Sequence, residues 1–143
     1  MIRRMKKEDL AQCGQIYAKA FPAEHWGIDW TAENAAEYLQ DFYEQRKFVG
    51  FVHEADGAVI GCIFALRRIC GSREEIHIHE MAVLPERQGL GIGRQLLNAV
   101  KEYNRENGLA GLVLYTNEHA PAARFYEKNG FQRSEGTVCM YCE

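Results

Sequence analysis

A strand end that runs into three glycines and then at once into a helical repeat constrains this chain more than any other stretch. Residues 80–94 read Glu-Met-Ala-Val-Leu-Pro-Glu-Arg-Gln-Gly-Leu-Gly-Ile-Gly-Arg. Met81, Ala82 and Val83 are an apolar strand end, and Pro85 turns the chain into a loop holding Gly89, Gly91 and Gly93. Ile92, Leu96, Ala99, Val100 and Tyr103 then fall on one helical face. Glycines let a backbone approach a ligand closely, and the free N–H groups of a starting helix favour an anion. The stretch reads as a phosphate cradle. It is not a P-loop, because no Lys-Ser or Lys-Thr follows the last glycine. The dinucleotide fingerprint fails as well, because the glycines stand at every second position and no parallel βαβ unit precedes them.

The rest of the chain organises around this loop as one domain, residues 1–143, with no repeats, linkers or low-complexity runs. Its 143 residues, 47% hydrophobic and 26% charged, suffice for one buried core. A net charge of −3 argues against a dedicated nucleic-acid binder. The basic start, Met1 to Asp9, lacks the apolar core of a signal peptide, and no run of about 18 apolar residues appears. The expectation is a cytoplasmic protein with neither a membrane nor a nucleic acid as partner.

Periodicity places a short strand at 1–5, a helix over 7–21 closed by Pro22, and a loop over 21–30. Thr31 is the expected N-cap of a second helix running to about Gln45. Residues 47–54 and 58–68 read as a hairpin turning at Ala55-Asp-Gly57, and 75–83 as the fourth strand. A third helix over 91–107 stops at Gly108, a fifth strand spans 109–116, and a fourth helix over 120–129 stops at Gly130. Residues 131–133 and 137–142 are expected to close the sheet as an antiparallel pair. Of the five cysteines, Cys13 and Cys62 read as core residues. Cys139 and Cys142 form a C-x-x-C with no second pair, which is a weak redox or zinc signal.

The loop resembles the pyrophosphate loop of the GCN5-related N-acetyltransferases (GNATs), which reads Gln/Arg-x-x-Gly-x-Gly/Ala and is met here by Gln88, Gly91 and Gly93. The segment Ala122-Ala-Arg-Phe-Tyr-Glu-Lys-Asn-Gly-Phe131 resembles the family's Ala-x-x-Phe/Leu-Tyr-x-x-x-Gly-Phe. Nearly the whole chain fits the family's order of elements. The resemblance implies a single-domain α/β (α+β) fold, with a mixed central sheet of about seven strands and four helices, splayed between strands four and five. It also implies acetyl-CoA as co-substrate and no metal. The backbone N–H groups of Gly89, Leu90, Gly91, Ile92, Gly93 and Arg94 would hold the coenzyme pyrophosphate, and the pantetheine would lie in the gap between those strands. A backbone N–H near Met81, Ala82 and Val83 would polarise the thioester carbonyl, and Tyr126 would protonate the departing sulfur. Seven residues before that tyrosine the family often has an asparagine that contacts the coenzyme. His119 stands there instead, and Asn117 is near enough in sequence to share the contact.

Two candidates for the base lie on the fourth strand. Alternation puts His77 and His79 on one face and Glu80 on the other. An alkylammonium acceptor must lose a proton before it attacks, and imidazole is matched to that task. Some family members carry a catalytic glutamate at the place of His77, others two histidines at 77 and 79, and many bacterial members a glutamate at the place of Glu80. The histidine pair is preferred and Glu80 competes, on the condition that the strand is regular, since a bulge would change which side chains share a face. His-x-His is also a metal-ligand spacing, but the sequence supplies no complete set. Glu24, Trp26, Asp29 and Trp30 offer carboxylates and aromatic faces that suit a cationic acceptor.

The expected activity is acetyl transfer from acetyl-CoA to a primary amine, by direct attack through a tetrahedral intermediate. The acceptor is a small molecule or a peptide, and a homodimer fits the resemblance. A coenzyme A-binding sensor or interaction module that has lost the reaction is the alternative.

Overall fold

A computed structural model describes residues 1–143. The elements are β1 (Ile2–Arg4), α1 (Leu10–Ala20), α2 (Ala23–Trp26), α3 (Ala32–Tyr43), β2 (Phe48–Ala55), β3 (Ala58–Cys70), β4 (Arg73–Val83), α4 (Ile92–Glu106), β5 (Leu112–Leu114) and α5 (Pro121–Lys128). Single 3-10 turns at Lys7–Asp9 and Pro85–Arg87 precede α1 and the glycine loop. The five strands form one sheet in chain order, antiparallel from β1 to β4 and parallel between β4 and β5.

Each face of the sheet carries a core. On one, Cys13, Ile16 and Tyr17 of α1 and Ala35 and Leu39 of α3 pack on Val52, Cys62, Phe64 and Ala82. On the other, Ile92, Leu96, Leu97 and Val100 of α4 cover Val49, Ile63, Ala65, Ile76 and Ile78. The alternation of β3 and β4 divides their side chains between these cores, as a two-residue period requires. α1 and α3 come close enough that a Cβ on Gly14 would meet the Ala32 carbonyl oxygen at 2.6 Å. Thr31 caps α3 as expected: its Oγ1 accepts from Asn34 N at 3.0 Å, and its own N–H donates to Asn34 Oδ1 at 2.8 Å.

Three expectations need correction. The sheet has five strands, not seven. Residues 131–133 and 137–142 form no ladder. Phe131 N instead bonds back to Tyr126 O at 3.0 Å, its ring packs on Tyr126, and Arg133 reaches Glu127 and Glu118. β-forming residues specify a strand only where a half-buried surface awaits them, and Val138, Met140 and Tyr141 stay exposed. The helices number five, not four, because one turn, α2, forms inside the expected loop after Pro22 and ends at Gly27 with φ +71°. No helix is long and apolar enough to cross a membrane.

Candidate active site

The sheet opens beside β4. Its parallel pairing with β5 covers only Ile76, His77 and Ile78, opposite Leu112, Val113 and Leu114, and β4 then continues alone to Val83. On its other side β4 stays paired with β3, but the register slips: Ala65 opposes Ile78 and Phe64 opposes Glu80. His79 is the extra residue of a β-bulge. This overturns the expectation that Glu80 faces away from the histidines. Beyond the bulge the parity is reset, so Ala82 joins the α1/α3 core while Met81 and Val83 pack against the other. Glu80 points toward α3, where its Oε1 accepts from the Tyr38 hydroxyl at 2.6 Å. His79 projects to the same side and stacks on Phe42 of α3, ring centroids 5.0 Å apart and 23° from parallel. His77 is buried with its ring 6.5 Å from that of His79, and its Nε2 lies 2.9 Å from Glu75 Oε1. The bulge therefore puts His77, His79 and Glu80 on one face.

These groups sit in unequal fields. Burial raises the pKa of Glu80, and hydrogen bonds from Tyr38 and Tyr17 offset part of that rise. The Tyr17 and Tyr38 hydroxyls are both pushed up, first by burial and then by Glu80. His79 is lowered, by burial and by its neighbour His77. Tyr126, on α5, is pushed up to about 12 by burial and then by the charge of Glu80. The charge of Glu80 adds to that rise, although the two residues belong to different elements.

The glycine loop forms the mouth of this gap. Gly89 and Gly91 have φ of +80° and +82°, which favour glycine, and a Cβ on either would meet nothing within 4 Å. The first helical bond of α4 runs from Gln95 N to Gly91 O, and none of the N–H groups of Gly89, Leu90, Gly91, Ile92, Gly93 and Arg94 has an acceptor within the protein. Gly93 serves differently: it is helical, and a Cβ there would make ordinary contact with Phe125 of α5 at 3.4 Å. Gln88 ties the loop to the strand by donating from Nε2 to Val83 O at 3.1 Å. Because Leu84 N bonds Ile60 O of β3 and the pairing alternates, the N–H groups of Met81 and Val83 point away from β3 into the gap, while Ala82 bonds toward β3.

Asn117 and His119 lie on the exposed turn before α5. Asn117 Oδ1 accepts from His119 N at 2.9 Å, so its side chain shapes the turn, and the His119 imidazole stands in solvent beside Glu118. A cleft of about 650 Å³ runs from this turn past Arg124, Phe125 and Lys128 to Arg133. No three His, Cys, Asp or Glu side chains converge as a metal site. The Cys139 and Cys142 thiols are free and exposed. Sequence reading missed Tyr38, Tyr17, Phe42 and Glu75. The first three look like ordinary core positions of amphipathic helices, and no local signal ties them to β4.

The geometry has counterparts in known proteins. A family model described as an acetyltransferase (GNAT) domain matches residues 46–133. The N-acetyltransferase YhfO of Bacillus subtilis (strain 168) is 29% identical over 144 residues, spanning 99% of this chain and 95% of the relative. A possible acetyltransferase from Clostridium difficile 630 superposes with a TM-score of 0.84 at 18% identity, covering 100% of this chain and 97% of that one. The aminoglycoside N-acetyltransferase AAC(6')-Iy, solved in complex with CoA, superposes with a TM-score of 0.78 at 21% identity, covering 100% of this chain and 93% of that one. At such identities the superpositions speak to the fold, and the domain match extends it to descent. The chain belongs to the GNAT family of N-acetyltransferases.

Proposed function

We propose that the protein transfers an acetyl group from acetyl-CoA to a primary amine, with Glu80 as the base and Tyr126 as the acid. The observation that carries this reading is the opening of the sheet beside β4, with the run of unpaired N–H groups at its mouth and the bulge that turns Glu80 toward α3. The loop fits a coenzyme pyrophosphate: its donors are unspent, and the space a Cβ would take at Gly89 and Gly91 is open. Acetyl-CoA bound there supplies an activated acyl thioester.

The protein's own groups do the rest. The N–H groups of Met81 and Val83 face the gap and polarise the acyl carbonyl, a preorganised arrangement that is usually a large catalytic contribution. Glu80, its pKa raised toward the working range, accepts the proton of the acceptor ammonium. Tyr126 keeps its proton at any ordinary pH, delivers it to the sulfur as the amine attacks and the C–S bond breaks, and is reprotonated by the second proton lost from the nitrogen. His79, its pKa lowered by burial and by His77, shares this face of β4 and offers the proton a path to solvent. Glu80 is favoured over His77 as base because His77 is buried and engaged with Glu75.

Calorimetric titration with acetyl-CoA, followed by thiol release over a panel of amines, tests the proposal. Binding with turnover is the expected result. Binding with no turnover on any amine or peptide would favour the sensor alternative, and no binding would sink both.

A further inference from the structure

A chain of aromatic contacts leads from the surface to the carboxylate of Glu80. Trp26 meets Phe21 at 5.2 Å and Phe21 meets Tyr17 at 4.6 Å. Tyr17 meets Trp30 at 5.1 Å and Trp30 meets Tyr38 at 5.0 Å. Tyr38 then meets Phe42 at 5.1 Å, and Phe42 stacks on His79. Helix packing accounts for the inner members but not for the outer ones. Trp26 is 44% exposed and Ile28 is 56% exposed, both in the connection from α1 to α3, while Trp30, Tyr38 and Phe42 are only partly covered. Trp26 and Ile28 thus add exposed apolar surface next to the partly covered rings.

Two further observations fix the chemistry of what covers it. The first is charge. From Phe21 to Gln45 the chain carries Glu24, Asp29, Glu33, Glu37, Asp41 and Glu44 with no lysine or arginine, while the whole molecule is only −3. The remainder is therefore net positive, and the aromatic surface lies in the acidic part, which attracts a cation. The second is hydrogen bonding. The Tyr38 hydroxyl is spent on Glu80, and Thr31 and Asn34 are spent on each other at the helix cap. These polar groups of the wall are therefore already committed, and its rings present mostly apolar faces.

We infer that the acceptor is a primary amine carried on an aromatic body, the ring lying on the Trp30–Phe42 side of the wall and the ammonium directed at Glu80. This rests on the acetyl-transfer reading above. The ring gains aromatic contact at little cost in lost hydrogen bonds, and the cation is held by Glu80 and the neighbouring ring faces. A polyamine would leave the apolar surface uncovered, and an aminosugar would cover the ring faces less completely than an aromatic body.

The test measures thiol release by the full chain from acetyl-CoA with 2-phenylethylamine, glucosamine and spermidine. The expected kcat/KM for 2-phenylethylamine exceeds both others by about tenfold or more, the scale of one well-buried apolar group. Trp26→Ser, at an exposed position that folding tolerates, raises KM for 2-phenylethylamine about threefold to fivefold and leaves the acetyl-CoA Kd unchanged. Trp30→Leu does the same more strongly. If glucosamine or spermidine is the best acceptor, or if both variants change KM equally for all three amines, the aromatic class is overturned and acetyl transfer stands. If acetyl-CoA binds and 2-phenylethylamine is not acetylated, the aromatic class is overturned, and the transfer reading falls only if the wider amine and peptide panel also gives no thiol release.

Discussion

The Tyr38 hydroxyl donates to Glu80 Oε1 at 2.6 Å, joining α3 to the residue that follows the bulge of β4. A hydrogen bond to a carboxylate favours its charged form, so this contact lowers a pKa that burial has raised. Tyr38→Phe removes the donor, and the Glu80 pKa rises further. The acidic limb of kcat/KM therefore moves to higher pH, while the rate well above the limb changes little. A pH–rate profile of the variant checks this, and an unmoved limb would show that Glu80 is not the titrating base.

Glu80 links activity to stability with opposite signs. Its pKa in the folded protein is raised above the ordinary value of 4.5. Its contribution to stability is therefore full below that value and is lost as pH rises through the folded pKa. Glu80→Gln keeps the shape and removes the buried charge. The variant is expected to melt higher than the parent at pH above the folded pKa, with the difference vanishing below 4.5. Its kcat falls about 100-fold or more, the usual loss for a general base. Thermal melts across pH, paired with a rate assay, read both effects.

Tyr126, at about 12, is protonated throughout the range in which enzymes are assayed. No basic limb below that range belongs to it. Tyr126→Phe is expected to lower kcat about 10-fold to 100-fold with the acetyl-CoA Kd unchanged, since proton delivery to sulfur occurs only in the transition state. An unchanged kcat would remove the acid role and leave the ring as packing for Phe125 and Phe131.

The loop glycines separate by backbone conformation. A Cβ at Gly91 meets no atom but must adopt φ +82°, which costs about 1 kcal/mol. Gly91→Ala is expected to weaken acetyl-CoA binding about fivefold, the order that this strain implies. Gly93 needs no positive φ and has room for ordinary contact with Phe125, so Gly93→Ala changes the Kd less than about twofold by the same scale. Equal losses in calorimetry would contradict the division of roles.

Far from the gap, Arg3 clamps buried Asp9 with bonds of 2.8 and 2.9 Å and also reaches Glu54 at 2.7 Å. The hydrogen bonds from Arg3 hold the Asp9 carboxyl below its ordinary value of 3.8. The stability it contributes is present above 3.8 and lost as pH falls through the folded value. Arg3→Met strands the carboxylate and is expected to cost about 2 kcal/mol at neutral pH. Denaturant titrations should show the difference from the parent shrinking in acid.

Local chemistry carried most of the fold. The helical face of Ile92, Leu96, Val100 and Tyr103, the Thr31 cap and the hairpin at Asp56-Gly57 each depend on neighbours within a few residues, and a linear reading captures such dependence. The family was legible for the same reason, because the glycine loop and the Tyr126 segment are contiguous. Side-chain parity on β4 was not legible. It assumes one residue per step, and the bulge at His79 exists only because β3 pairs in two registers on either side of it. Tyr38 meets Glu80 across 42 residues of chain, and Tyr126 feels Glu80 from another element. The closing strand pair failed in the other direction, since β-forming residues at 131–142 found no half-buried surface to pair on. The sequence by itself determined most of the elements, their order and the glycine loop, because those follow from short-range backbone and periodicity constraints. Only the tertiary structure decided which acidic and basic groups share a face, because a bulge and a cross-element hydrogen bond arise from pairing between distant segments.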